Sequence, residues 1–319
     1  MLKSIIAAVL AGALAVSAAA AQDSYPSRDV RFLCGFPAGS GADIMVRFFA
    51  EQIGKHTGHT IIVENKPGAG GMLALAETAR AAPDGHTILL AGGNAVAINA
   101  NLLLKPPVDA GKELKVAATI NKMPFVLAVS GKSPYRSLPD LTAAMRERGA
   151  QATYAYSSPF SKVIAESYKT FSGLQTVQVA YKSITDSLND VASGSIDFAI
   201  FDPVQGLARR DDGALRILAI STGERTTATG DLPTFREQGV DIDLPGWWGA
   251  LVPAATPDDV VQTINGWFEA VLLEPEVQAF LRSSGADPLS LSPTDANAFF
   301  LKEIETWGRL VDMAHIEKQ

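Results

Sequence analysis

Between residues 30 and 91, short apolar segments alternate with helix-length amphipathic ones, and this alternation restricts the fold more than any other feature of the chain. VRFLCGF (30–36), TIIVEN (60–65) and HTILLA (86–91) read as strands. DIMVRFFAEQIGKH (43–56) and GMLALAETARAA (71–82) read as helices, with Gly and Pro at the boundaries. Strands separated by helices pair in parallel, so the pattern predicts a βαβαβ unit. In the first helix Ile44 and Phe48 fall four apart, as do Met45, Phe49 and Ile53, while Arg47, Glu51 and Lys55 form a separate series that faces water. A second series begins near residue 124, with strands FVLAVS (125–130), ATYAY (151–155), TVQVAY (176–181), SIDFAIF (195–201) and LRILAIS (215–221). The segments between them have helical composition at 137–147, 160–171 and 183–193, which predicts another mostly parallel sheet. A passage with LPGWWGALVP (244–253) and helical stretches near 257–272, 275–287 and 293–315 follow, and these are expected to cover the first sheet. The predicted fold is α/β, two lobes around a cleft with two chain crossings near 115–125 and 222–250. Residues 22–124 form the first part of lobe 1, 125–222 form lobe 2, and 223–319 form the crossover and the second part of lobe 1.

The first 21 residues predict a different fate. Lys3 precedes an apolar run from Ile5 to Val16 and a small-residue tract ending near Ala21, the pattern of a secretory signal peptide. Cleavage there removes one lysine from a chain that already carries 34 acidic against 27 basic side chains. An acidic surface without a basic cluster argues against nucleic-acid binding, and no later stretch approaches the roughly 18–20 apolar residues of a membrane span. Cys34 is the single cysteine, so no intrachain disulfide forms, and its apolar strand predicts a buried structural thiol.

Two loops attract attention because each follows a strand and opens a helix, the place where parallel α/β folds bind ligands. In GFPAGSGAD (35–43), Ala38, Ser40 and Gly41 let a ligand approach backbone N–H donors at a helix terminus. Asp43 would repel a bare carboxylate, so it reads as a cap, a loop organiser or an acceptor for bridging water. In YAYSSPFSKVIAES (154–167), Ser157, Ser158 and Ser161 present hydroxyls and Pro159 suits a first helical turn. Helix capping explains the serines as readily as ligand contact does. Two such termini facing each other would hold both ends of a diacid. Phe36, Tyr154, Phe160 and Trp247/Trp248 are candidates to line an apolar cleft, with core packing the competing reading for each, and Asp202 either caps a turn or binds water or a ligand hydroxyl.

Enzyme signatures are weak. The first loop is not GxGxxG, and KPGAGG (66–71) places its lysine before the glycines, unlike a phosphate-binding loop. No GxSxG or HExxH occurs, and His56 and His59 form only a close pair at a helix end. No catalytic residue, metal or cofactor is expected.

At this point the sequence resembles the periplasmic substrate-binding proteins of tripartite tricarboxylate transporters, the Bug or TctC-like family. The resemblance rests on FPAGSGADIMVR (36–47), IIVENKPGAGG (61–71), AAPDGHTILLAGG (81–93), QVAYKSITDSLNDVASGSIDFAIFD (178–202), LRILAISTGERT (215–226), DLPTFREQG (231–239) and WWGALVPAATP (247–257), in the family's order. It implies a monomeric periplasmic receptor that closes around a carboxylated small molecule and delivers it to a membrane permease of two integral subunits. It also implies binding roles for Phe36, Ala38, Ser40, Gly41, Asp43 and Asn94. The 154–163 loop departs from the family's glycine-rich form. Its bulkier side chains suggest an aromatic diacid such as terephthalate, while aliphatic dicarboxylates share the same terminal chemistry. Ser183, where the family frequently has glycine, is expected to cap the next helix. A periplasmic sensor for signalling and a secreted enzyme acting on a carboxylated substrate are the alternatives.

Overall fold

The computed structural model describes residues 25–181 and 184–318, so the expected signal peptide and the cap at Ser183 lie outside the described residues. The first sheet contains β1 (Val30–Cys34), β2 (Ile61–Asn65), β3 (Thr87–Gly92), β4 (Leu114–Met123), β10 (Gly246–Pro253) and β11 (Asp287–Pro288) in the order β11-β4-β10-β3-β1-β2. The second contains β5 (Val126–Ser130), β6 (Thr153–Tyr156), β7 (Val177–Ala180), β8 (Phe198–Phe201) and β9 (Leu215–Ile220) in the order β7-β6-β8-β5-β9. Helices follow the strands: α1 (Gly41–Thr57), α2 (Met72–Arg80), α3 (Gly93–Leu102), α4 (Ala110–Glu113), α5 (Leu138–Arg148), α6 (Pro159–Ser172), α7 (Ile184–Ser193), α8 (Pro203–Asp211), α9 (Asp258–Leu272), α10 (Pro275–Ser283) and α11 (Pro293–Met313).

The expected parallel units are present: β1 pairs in parallel with β2 and β3, with Phe32 opposite Val63 and Ile88, and β6 pairs in parallel with β7 and β8. The second sheet is nevertheless mixed, because β5 runs antiparallel to β8 and β9, and β10 runs antiparallel to β3 and β4 in the first sheet. The reason is the crossing itself. A strand arriving from the other lobe begins at the cleft, whereas the βα strands end there, so the entering strand points the other way.

Packing of α1 separates two apolar series that the spacing alone leaves equivalent. Met45, Phe49 and Ile53 are buried against β1 and α9, while Ile44 is exposed and Phe48 half-buried beneath Phe280, with ring centroids 3.9 Å apart. Arg47, Glu51 and Lys55 are exposed as their spacing predicts, with Lys55 and Glu51 paired one turn apart. Cys34 is fully buried in β1, as expected of a packing thiol.

Helix α11 ties the two lobes together. Phe300 packs with Trp247 and Leu251 of the first sheet, whereas Trp307 and Val311 share a core with Tyr154 and Leu218 of the second sheet and Phe160 of α6. At this junction the Phe160 ring packs at a tilt against Phe125, in the first crossing, with centroids 4.0 Å apart, and against Trp307 at 4.6 Å. Gly93 opens α3 beneath the Trp247 ring, and a Cβ there would lie 1.9 Å from it, so no larger residue fits without moving the tryptophan. Asp287 of β11 accepts hydrogen bonds from the N–H groups of Thr227 (2.8 Å) and Ala228 (3.2 Å), a second tie close to the crossings.

Candidate functional site

The two sheets place their loops in corresponding positions. Counting outward from the entering strand, β3 and then β1 follow β10, and β8 and then β6 follow β5. The loop after β1 (36–40) therefore corresponds to the loop after β6 (157–158), and the start of α3, with Asn94, corresponds to the start of α8, with Asp202. All four lie at the carboxyl ends of strands, where helix N-termini carry partial positive charge.

The β1–α1 loop is held from inside by Asp43. Its buried carboxylate accepts from Gly39 N (2.9 Å) and Arg47 Nε (2.9 Å) at one oxygen and from Asn65 Nδ2 (2.8 Å) at the other. Asn65 Nδ2 also donates to the Phe36 carbonyl at 3.0 Å, and Arg47 Nη2 donates to Asn65 Oδ1 at 3.0 Å. Ser40 is the N-cap of α1, its hydroxyl accepting from Asp43 N at 3.3 Å. The Arg47 hydrogen bond, reinforced by those from Gly39 and Asn65, lowers the Asp43 pKa to about 2. With both carboxylate oxygens engaged within the loop, Asp43 organises it, while Phe36, Ala38, Gly39 and Gly41 are exposed.

Phe36 borders a narrow apolar recess of about 20 Å³ with Gly70, Gly71, Gly92 and Ala95. That volume is near the minimum for one water. The KPGAGG run thus bears on the site through its small size: a Cβ on Gly35 would stand 2.8 Å from the Gly71 Cα. Its GAGG spacing was the available signal for this role, obscured by comparison with phosphate loops.

In lobe 2, Ser158 caps α6. Its hydroxyl accepts from Ser161 N (3.2 Å), and the buried Ser161 hydroxyl accepts from Ser158 N (3.2 Å) and Ser157 N (3.3 Å), a reciprocal capping box. A separate cavity of about 490 Å³ opens beside this turn, between Tyr156, Ser157, Ser158 and Lys162 on one side and Leu102 and Ile316 on another. Tyr156 and Lys162 line this cavity, and an isolated tyrosine and a surface-type lysine carry no motif that marks them in the sequence.

The remaining candidates spread outward. Phe160 is 6% exposed inside the aromatic junction, and Tyr154 and Trp247 are fully buried. Trp248 is half-buried against the lobe 1 core, its backbone N–H donating to Asn121 Oδ1 at 3.1 Å. Asp202 is half-buried and caps α8 through Gln205 N (3.0 Å), with burial raising its pKa. Asn94 lies in the first turn of α3. The structure thus gathers Phe36 with the glycine recess and Ser157 with Ser158 at the lobe 2 cavity. It sends Phe160 to the junction between the lobes and keeps Trp248 on the lobe 1 side. Among the described residues, no cluster of three or more His, Cys, Asp or Glu side chains could hold a metal.

Comparison with known proteins agrees with this architecture. A UPF0065 protein of Bordetella bronchiseptica is 29% identical, covering 96% of this chain and 91% of its own, and BugT of Bordetella pertussis is 26% identical, covering 93% and 92%. The solved structure of R. palustris Rpa4515 with adipate superposes with a TM-score of 0.76 at 26% identity, covering 92% of this chain and 99% of the other. The profile of the tripartite tricarboxylate transporter family receptor, TctC, matches residues 45–316. The chain belongs to that family of solute receptors and is a binding protein rather than an enzyme.

Proposed function

We propose that this chain is a periplasmic receptor that closes its lobes around a small dicarboxylate and delivers it to a tripartite tricarboxylate permease of two integral subunits. The observation that carries the reading is the correspondence between two strand-end loops, 36–40 and 157–158, one on each sheet and each opening a helix. A linear diacid has an acceptor group at each end, which suits two opposed helix termini. The relative solved with adipate supports this ligand class. Export is supported by the leader-like first 21 residues and by a related structure described as a periplasmic transporter.

The expected binding set is Phe36, Ala38, Ser40, Gly41, Asn94, Ser157, Ser158, Asp202 and Trp248, with Asp43 and Ser161 holding their loops in shape. Phe160 acts through the junction. Water and helix-end N–H groups orient the carboxylates, and the ligand selects the closed arrangement by binding it better than the open one. Terephthalate is a specific candidate because the Tyr156 ring borders the lobe 2 cavity. The acting unit is a monomer.

Native mass spectrometry of the purified protein tests the reading. The expected result is one bound acid per chain, released chemically unchanged, with the permease subunits co-purifying from membranes. Conversion of the acid in stoichiometric excess would contradict it, and co-purification of a signalling protein in place of the permease would point to a sensor.

A further inference from the structure

The Ser158 and Ser161 hydroxyls of the lobe 2 turn are engaged with each other and with the backbone: the two Oγ atoms are 3.1 Å apart, and between them they accept from three N–H groups. Capping therefore engages two of the three hydroxyls that the loop's composition marks out for a carboxylate, and neither carries a charge to set against one. One helical turn on, the half-buried Lys162 stands on the wall of the 490 Å³ cavity, its Nζ 5.3 Å from the centroid of the Tyr156 ring. Among the described residues Lys162 takes part in no ion pair. His315 and Glu317 also line the cavity, and both are exposed in the segment that follows α11. The volume lies within the usual range for small-molecule pockets.

We infer that Lys162 and Tyr156 form the lobe 2 end of the ligand site, the ammonium pairing directly with the second carboxylate of a dianionic organic acid whose body lies against the Tyr156 ring. This rests on the receptor reading above and deepens it: the charge of the ligand is read by one lysine rather than by the serine cap. A lysine resting on an aromatic face is only weakly held there, so it can turn to a carboxylate at small cost. A carboxylate can accept a charge-assisted hydrogen bond from it, the stronger kind in a partly enclosed site. Glu317 opposes an anion, but its position in the exposed final residues leaves its field screened by water. The consequence is discrimination by charge count. A diacid engages both lobes, whereas a monoacid with the same body leaves one end unmatched.

The test compares matched pairs, adipate with hexanoate and terephthalate with benzoate, by calorimetry on the purified receptor and its K162M and K162R variants. The wild type is expected to favour the diacid in at least one pair. In K162M the diacid-to-monoacid affinity ratio falls by about 10-fold or more, the loss expected of a charged hydrogen bond. In K162R most of the ratio returns, and the melting temperature of both variants stays close to the wild type. An unchanged ratio in K162M, with diacid binding intact, would overturn the role of Lys162 and leave the receptor reading standing. Failure of the wild type to bind any diacid in the panel would overturn both.

Discussion

At the scale of single residues, Asp43 links sequence to site most directly. A carboxylate in a loop proposed to bind an anion is an obstacle unless it is occupied, and here Gly39, Arg47 and Asn65 occupy it. Asp43→Asn should cost about 1–3 kcal/mol at neutral pH, since it removes charged hydrogen bonds from a buried group. The sign of the pH dependence follows from a pKa lowered from 3.8 to about 2. The stabilisation is present above the unfolded value and lost as pH falls toward 2, so thermal melts of the two proteins should converge over that interval. A variant equally destabilised at pH 7 and pH 2 would contradict the assignment. Ser158→Ala removes the α6 N-cap and should cost about 1 kcal/mol by chemical denaturation. It should also weaken diacid binding by loosening the turn without unfolding the protein, and unchanged affinity would remove Ser158 from the site. Both roles were half-legible in the residues: Asp43 suggested an organiser because an inward charge would repel the ligand, whereas Ser158 left cap and contact equally open. The role proposed for Lys162 leaves no mark in the residues, because only the cavity wall distinguishes it from any solvated lysine.

At the scale of elements, α11 is the piece that the spacing of apolar residues located without revealing its partner. Residues 293–315 read as a helix covering the first sheet. The observed α11 does so through Phe300 and also reaches lobe 2 through Trp307 and Val311. Glu303 lies at the changeover, its Oε2 accepting from Trp307 Nε1 (3.0 Å) and Trp247 Nε1 (3.3 Å). Burial raises its pKa against these two donors, with Asp243 adding to the rise and Lys302 opposing it. A raised carboxylate pKa means the folded state binds the proton more tightly. That contribution is complete below the unfolded value and is lost as pH rises through the folded one. Glu303→Gln should therefore gain stability relative to the wild type as pH increases from about 4 toward neutrality, measured by melts across that range; a pH-independent difference would contradict the raised pKa. Other elements escaped the sequence for identifiable reasons. The α3 sequence GNAVAINANL carries one glycine and three asparagines, α8 carries Gly206 and Arg209–Arg210 in only nine residues, and β10 opens on Gly246 and shifts register at Gly249. In each, tertiary packing overrides weak local propensity.

At the scale of the whole molecule, the alternation of strands and helices was enough to predict two α/β lobes, because parallel pairing follows from βαβ order. Strand direction at the crossings was not, since an antiparallel entering strand is a property of how the lobes join and leaves no mark in the strand itself. Once joined, the lobes set the helix termini after loops 36–40 and 157–158 two strands out from β10 and β5, while Phe125, Phe160 and Trp307 fill the space beside the crossings. In the proposed closure around a ligand the distal loops move against a packed aromatic junction, and local N–H donors rather than the net charge of −7 are the groups proposed to recognise an anion. Calorimetric titration of the purified receptor with a panel of aliphatic, tricarboxylic and aromatic acids tests this most directly. Saturable binding of a dicarboxylate at one site per chain, with the acid recovered unchanged, is the predicted result. Absence of binding by every diacid in the panel would contradict it.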